Sequence, residues 1–143
     1  MMPPEVQLQG HHIRVGCDVV ALNEIADSLA AFGDRFVAKI FTPDEAATCI
    51  GPSRLARLAA RFAAKEAAMK AFARSDSAFV PREIEVISVN HVPTLRLAGS
   101  AAQLARDQQW QQISLSMTHA ECHAAAVVVV VCAESVRNLG QKS

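Results

Sequence analysis

The chain has 143 residues, and its 14 Lys and Arg balance 14 Asp and Glu, so the formal net charge is zero. That length suits one domain with a sizeable core, and 51% hydrophobic against 20% charged residues excludes a disordered chain. Neutral charge argues against bulk nucleic-acid binding, and six Phe, one Trp and no Tyr leave few rings to stack single strands.

The four cysteines, at 17, 49, 122 and 132, form no Cys-x-x-Cys pair and read as reduced thiols of a cytoplasmic protein. Met1 to Gln9 is polar and has no apolar signal core. The longest apolar run, Ala124 to Ala133, is half the ~20 residues of a membrane span, so a buried strand and no membrane partner are expected.

Residues 1–12 read as a loose lead-in, 13–135 as one domain and 136–143 as a tail. Ile13, Val15, Cys17 and Val19 alternate with Arg14, Gly16 and Asp18, the period of a half-buried strand with Asp18 on its polar side. Helical spacing from Ala21 to Phe32 stops at Gly33, and Arg35 to Phe41 is a short mixed segment. Thr42-Pro43-Asp44-Glu45 has the N-cap, first-turn proline and acids of a helix start. Gly51-Pro52-Ser53 breaks the chain, and the longest helical pattern runs from there to about Arg74. Strands follow at 83–89 and 94–97, a helix at 100–109, a strand at 113–118, a turn at 119–122 and the valine run. The order β-α-α-α-β-β-α-β-β predicts a single α+β domain with an antiparallel sheet packed on the long helix.

On that helix Leu55, Leu58, Phe62, Met69 and Phe72 gather on one stripe, the face expected to meet the core. Glu66 falls in the middle of the stripe and Lys65 along its edge, with alanines around both. A carboxylate there needs compensation, from Lys70 at i+4, a bound metal or a wet subunit boundary. The plain alternative is a peripheral Glu66 in an ordinary salt bridge. Were Asp18 to meet Glu66, the pair would suit Mg²⁺, which favours hard oxygen ligands and keeps waters and phosphate oxygens. Arg61, Lys65 and Lys70 would then surround phosphates, which fits transfer of a phosphate-linked group better than hydrolysis. His119 reads as a turn histidine at a strand end. With Cys122 and His123 it could suggest zinc, but a fourth ligand and a known spacing are missing.

Three segments together carry a resemblance: Gly16-Cys17-Asp18-Val19-Val20, Arg61-Phe62-Ala63-Ala64-Lys65-Glu66-Ala67-Ala68-Met69-Lys70-Ala71, and Ser114-Leu115-Ser116-Met117-Thr118-His119. With Arg35 to Thr42 and in this order, the chain resembles the holo-[acyl-carrier-protein] synthases, the small stand-alone 4′-phosphopantetheinyl transferases. The resemblance implies transfer of the 4′-phosphopantetheine arm of coenzyme A to a serine of an apo acyl carrier protein, releasing adenosine 3′,5′-bisphosphate. It implies Mg²⁺ on Asp18 and Glu66, and Glu66 helping to deprotonate the serine. It further implies that Lys70 steadies phosphate charge, that Arg61, Lys65 and His119 hold coenzyme A, and that the site lies between subunits of a homotrimer.

Two stretches depart from the family pattern. Asn90-His91-Val92-Pro93 stands where Gly-Lys-Pro is common, and the first helix offers Asn23, Glu24 and Asp27 instead of a basic docking face. A less acidic carrier, from polyketide or other specialised synthesis, would match, and the sequence leaves the choice between that and a fatty-acid carrier open. The rival from another class is a non-catalytic, oligomeric carrier-binding module of the same fold.

Overall fold

The computed structural model describes residues 10–72, 74 and 78–134. Residues 1–9 of the expected lead-in and all of the expected 136–143 tail lie outside the described residues. In chain order the elements are β1 (His11–Ala21), α1 (Leu22–Phe32), α2 (Asp34–Ile40), α3 (Pro43–Thr48) and α4 (Arg54–Ala71). A 3₁₀ turn at Pro81–Glu83 leads to β2 (Ile84–Val89), β3 (Val92–Leu97), α5 (Gly99–Asp107), β4 (Trp110–His119) and β5 (His123–Ala133). The strands pair antiparallel as a three-stranded sheet, β1-β5-β4, and a separate hairpin, β2-β3. This is the expected α+β domain, with the valine run as the central strand of its larger sheet. Among the described residues no helix is long and apolar enough to cross a membrane.

The mixed segment after Gly33 is a helix, so four helices precede β2 where three are expected. Gly33 does two jobs. At φ +54° its amide closes α1 by donating to the Leu29 carbonyl at 2.8 Å, and its own carbonyl accepts from Phe36 at 3.1 Å to start α2. A glycine that reads as a stop is here also a restart. The β2–β3 link is a two-residue turn with Asn90 at φ +52° and His91 at φ +66°, the left-handed pair that suits tight hairpins.

β1 turns inward the face opposite to that expected, whereas the expected stripe of α4 is buried at Leu58 and Phe72 and partly buried at Leu55, Phe62 and Met69. Ile13, Val15 and Val19 are 50%, 58% and 66% exposed, while Gly16 and Val20 are buried and Asp18 shares their side, toward α4. On α4 the buried residues are Leu58, Lys65 and seven alanines, with Phe62, Glu66 and Met69 at the margin. The cause is distance. A Cβ built on Gly16 would lie 1.8 Å from the Ala67 carbonyl oxygen, so strand and helix touch backbone to backbone. Only glycine and alanine fit that contact, and the bulkier apolar residues are turned aside.

Gly16→Ala should therefore force β1 and α4 apart and destabilise the fold by about 3 kcal/mol. Thermal melting checks this; an unchanged midpoint would contradict the close approach.

Candidate active site

β1 presents Asp18 to α4 one residue pair beyond Gly16, and α4 answers with Glu66 and Lys70 on successive turns of one face. The Lys70 ammonium donates to Asp18 Oδ1 at 3.0 Å and to the Cys17 carbonyl at 3.1 Å. Hydrogen bonding and attraction from Asp18 raise the Lys70 pKa. Glu66 is half-buried, and no described residue hydrogen-bonds its carboxylate. Desolvation first, and repulsion from Asp18 second, raise its pKa, with Lys70 opposing. The structure thus gathers three of the expected residues: Asp18, Glu66 and Lys70.

The other three lie elsewhere in the subunit. Arg61 is five residues before Glu66, about 140° around the helix. Its Nη1 donates to the Arg57 carbonyl at 3.3 Å, and its buried Nε has no partner, a donor left over for an anion. His119 ends β4 on the inner face of the sheet, its backbone paired with Ala124, while Asp18 pairs with Ala126. One strand, β5, separates it from Asp18, two strand spacings or roughly 10 Å across the sheet. It is exposed, and no described residue hydrogen-bonds its side chain.

Lys65 differs most from expectation. It is 1% exposed, and its ammonium donates to Glu45 Oε1 at 2.7 Å, the Ile84 carbonyl at 2.6 Å and the Pro81 carbonyl at 3.0 Å. Burial pulls its pKa down, and Glu45 pulls it back. With three acceptors filling its three donors, this ammonium has none to spare for a phosphate. The expected coenzyme contact at Lys65 is an interior clasp. Sequence reading missed its partner, because Glu45 already had a sufficient role. It is the third residue of α3, where the Thr42 amide donates to Oε1 at 3.0 Å in a capping box. Its second oxygen also accepts from the Val86 amide at 3.1 Å.

Two carboxylates, one of them without a donor among the described residues, are hard-oxygen ligands of the kind Mg²⁺ takes. Among the described residues no three or more His, Cys, Asp or Glu converge on one metal position. His119, Cys122 and His123 accordingly form no zinc cage.

An α+β fold thus sets two carboxylates beside a lysine, on a strand and a helix held in backbone contact. The family model described as the 4′-phosphopantetheinyl transferase superfamily matches residues 14–130, and the chain belongs to that superfamily. Its relatives include the holo-[acyl-carrier-protein] synthase of Koribacter versatilis (strain Ellin345), 40% identical over 80% of this chain and 94% of that protein. The fold is similar to the crystal structure of the holo-[acyl-carrier-protein] synthase of Neisseria meningitidis, with TM-score 0.74 and 30% identity over 82% of this chain and 96% of that one. It is also similar to the Chronobacterium ammoniagenes ACPS-CoA complex, with TM-score 0.75 and 27% identity over 87% and 99% of the two chains.

A carboxylate whose folded pKa is raised favours its protonated form in the fold, so Glu66 detracts from stability once pH climbs above the ordinary value of ~4.3. Glu66→Gln should then melt at a higher temperature than the natural protein at pH 7–8, with the gap closing near pH 4. Equal melting at both pH values would show that Glu66 carries no such burden.

Proposed function

We propose that the chain moves the 4′-phosphopantetheine arm of coenzyme A onto a serine hydroxyl of an apo acyl carrier protein, with Mg²⁺, and releases adenosine 3′,5′-bisphosphate. The observation that supports it most is Glu66: a half-buried carboxylate beside Asp18 that no described residue hydrogen-bonds. Glu66, directly or through a metal-bound water, would take the serine proton as the oxygen attacks the pantetheine-side phosphorus, and the bond from that phosphorus to the bridging oxygen would break. Mg²⁺ held by Asp18 and Glu66 would neutralise the pyrophosphate. Lys70, already oriented by Asp18, would add positive charge beside the same phosphates.

Arg61 and His119 would reach coenzyme A from a neighbouring copy, in a homotrimer whose sites lie between subunits. The outer sheet face supports this reading. Ile13, Val15 and Val19 of β1 lie beside Val127 of β5, which is 41% exposed, and Ser114, Ser116 and Thr118 line the β4 side. An exposed apolar patch of this kind on a sheet suits a contact with a second copy of the chain. The carrier would dock at a groove of about 440 Å³ between α1 and α2, lined by Phe32, Phe36 and Ile40 with Arg35 and Lys39 on its rim. Glu24 and Asp27 on α1 limit how acidic that carrier can be. Four free thiols suit the cytoplasm.

Mass spectrometry after incubation with coenzyme A, Mg²⁺ and apo carrier proteins of fatty-acid and polyketide type should show the phosphopantetheine adduct. Asp18→Asn and Glu66→Gln should each lower transfer by about 10²-fold or more while the protein stays folded. Full activity in both variants would overturn the assignment, and no adduct on any carrier would favour the non-catalytic binding module.

Val127→Lys, which puts a charge on the outer sheet face, should split the oligomer and abolish transfer. Light scattering reads the mass, and an active monomer would refute the shared site.

A further inference from the structure

We infer that Lys65 is a positioning residue: its buried ammonium fixes the rotation of α4 and thereby aims Glu66 at Asp18. The inference rests on the transfer reaction proposed above. α4 packs through seven buried alanines, and the Gly16–Ala67 contact sets how closely it approaches β1, but short methyl groups make no directed bond that fixes its rotation. Three large, fully buried groups interrupt the alanines at intervals of seven residues, Leu58, Lys65 and Phe72, each at 0–1% exposure. Leu58 and Phe72 make contacts without direction. Lys65, midway, makes three directed bonds to three different elements: Glu45 on α3, Pro81 in the 3₁₀ turn and Ile84 at the start of β2.

Those acceptors are themselves held. Glu45 takes the Thr42 and Val86 amides, and Thr42 Oγ1 donates to Glu85 at 2.5 Å, which in turn is paired with Arg96. The Phe41 ring lies 5.6 Å below the ammonium. The clasp is therefore rigid on both sides, and Glu66 follows it by one residue. A turn of α4 by about 20° would swing a carboxylate ~6 Å from the axis by ~2 Å. Misplacement by 1 Å can cost about 10²-fold in rate, so a loosened clasp should be read in catalysis.

The experiment is steady-state transfer by the natural protein, Lys65→Met, Glu45→Gln and the double variant, each well below its melting temperature. Both single variants should lower kcat about tenfold or more, with KM for coenzyme A within about twofold. The double variant should be no worse than the worse single one. A tenfold rise in KM confined to Lys65→Met would place the ammonium on the coenzyme and overturn the inference. Unchanged kcat in folded variants would reduce the clasp to stability alone and also overturn it. Should Lys65→Met fail to fold, Glu45→Gln carries the same test, since Glu45 sits on α3 and keeps its volume as Gln. A natural protein that transfers nothing defeats the proposed function and this inference with it; an active one with normal variants defeats only the inference.

Discussion

Backbone contact between β1 and α4 is the constraint on which the molecule depends. At Gly16 the strand comes so near the Ala67 carbonyl that no side chain can stand between them. The contact sets the helix over the sheet, and the residue pair beyond it brings Asp18 to the edge of the interface, where Glu66 and Lys70 emerge. A wider interface filled with leucine would hold the fold equally well, but it would move the carboxylates apart. Here tight packing and the chemistry of the site are one requirement.

The same contact sorts the charges. Glu66, at the margin, keeps access to solvent, and no described residue hydrogen-bonds its carboxylate. Lys65, one residue earlier, points into the interior and is fully satisfied there. A buried ion pair is a poor source of net stability, yet removal of either partner costs ~3–5 kcal/mol. Such a pair therefore specifies an arrangement more than it strengthens one. Neighbours in sequence thus carry opposite roles because 100° of helix rotation separates a wet margin from a dry core.

Much of this was legible beforehand. Alternation marked β1, β2 and β4, the apolar run marked β5, the Thr42 cap marked α3, and Asp18, Glu66 and Lys70 were singled out from strand position and helical spacing. The errors share a physical origin. Ranking residues by hydrophobicity puts Ile13, Val15 and Val19 inside, whereas closest packing selects by size and puts Gly16, Ala67 and Ala71 there. Apolar side chains on the outer sheet face look like core in a single sequence, because alternation marks two faces of a strand without saying which one is buried. Lys65 was misread for the complementary reason: its acceptors come from α3, the 3₁₀ turn and β2, far away in sequence. Nothing local announces a clasp.

The lone tryptophan gives the arrangement a further consequence. Trp110 opens β4 and stacks on Phe72 at a centroid distance of 4.0 Å, and Phe72 stacks in turn on Phe79 at 5.2 Å. Phe72 is also the residue that closes α4. The single indole of the chain therefore rests on the end of the helix that carries the carboxylate and the lysine. Its emission is a native optical gauge of that helix, legible without any attached dye.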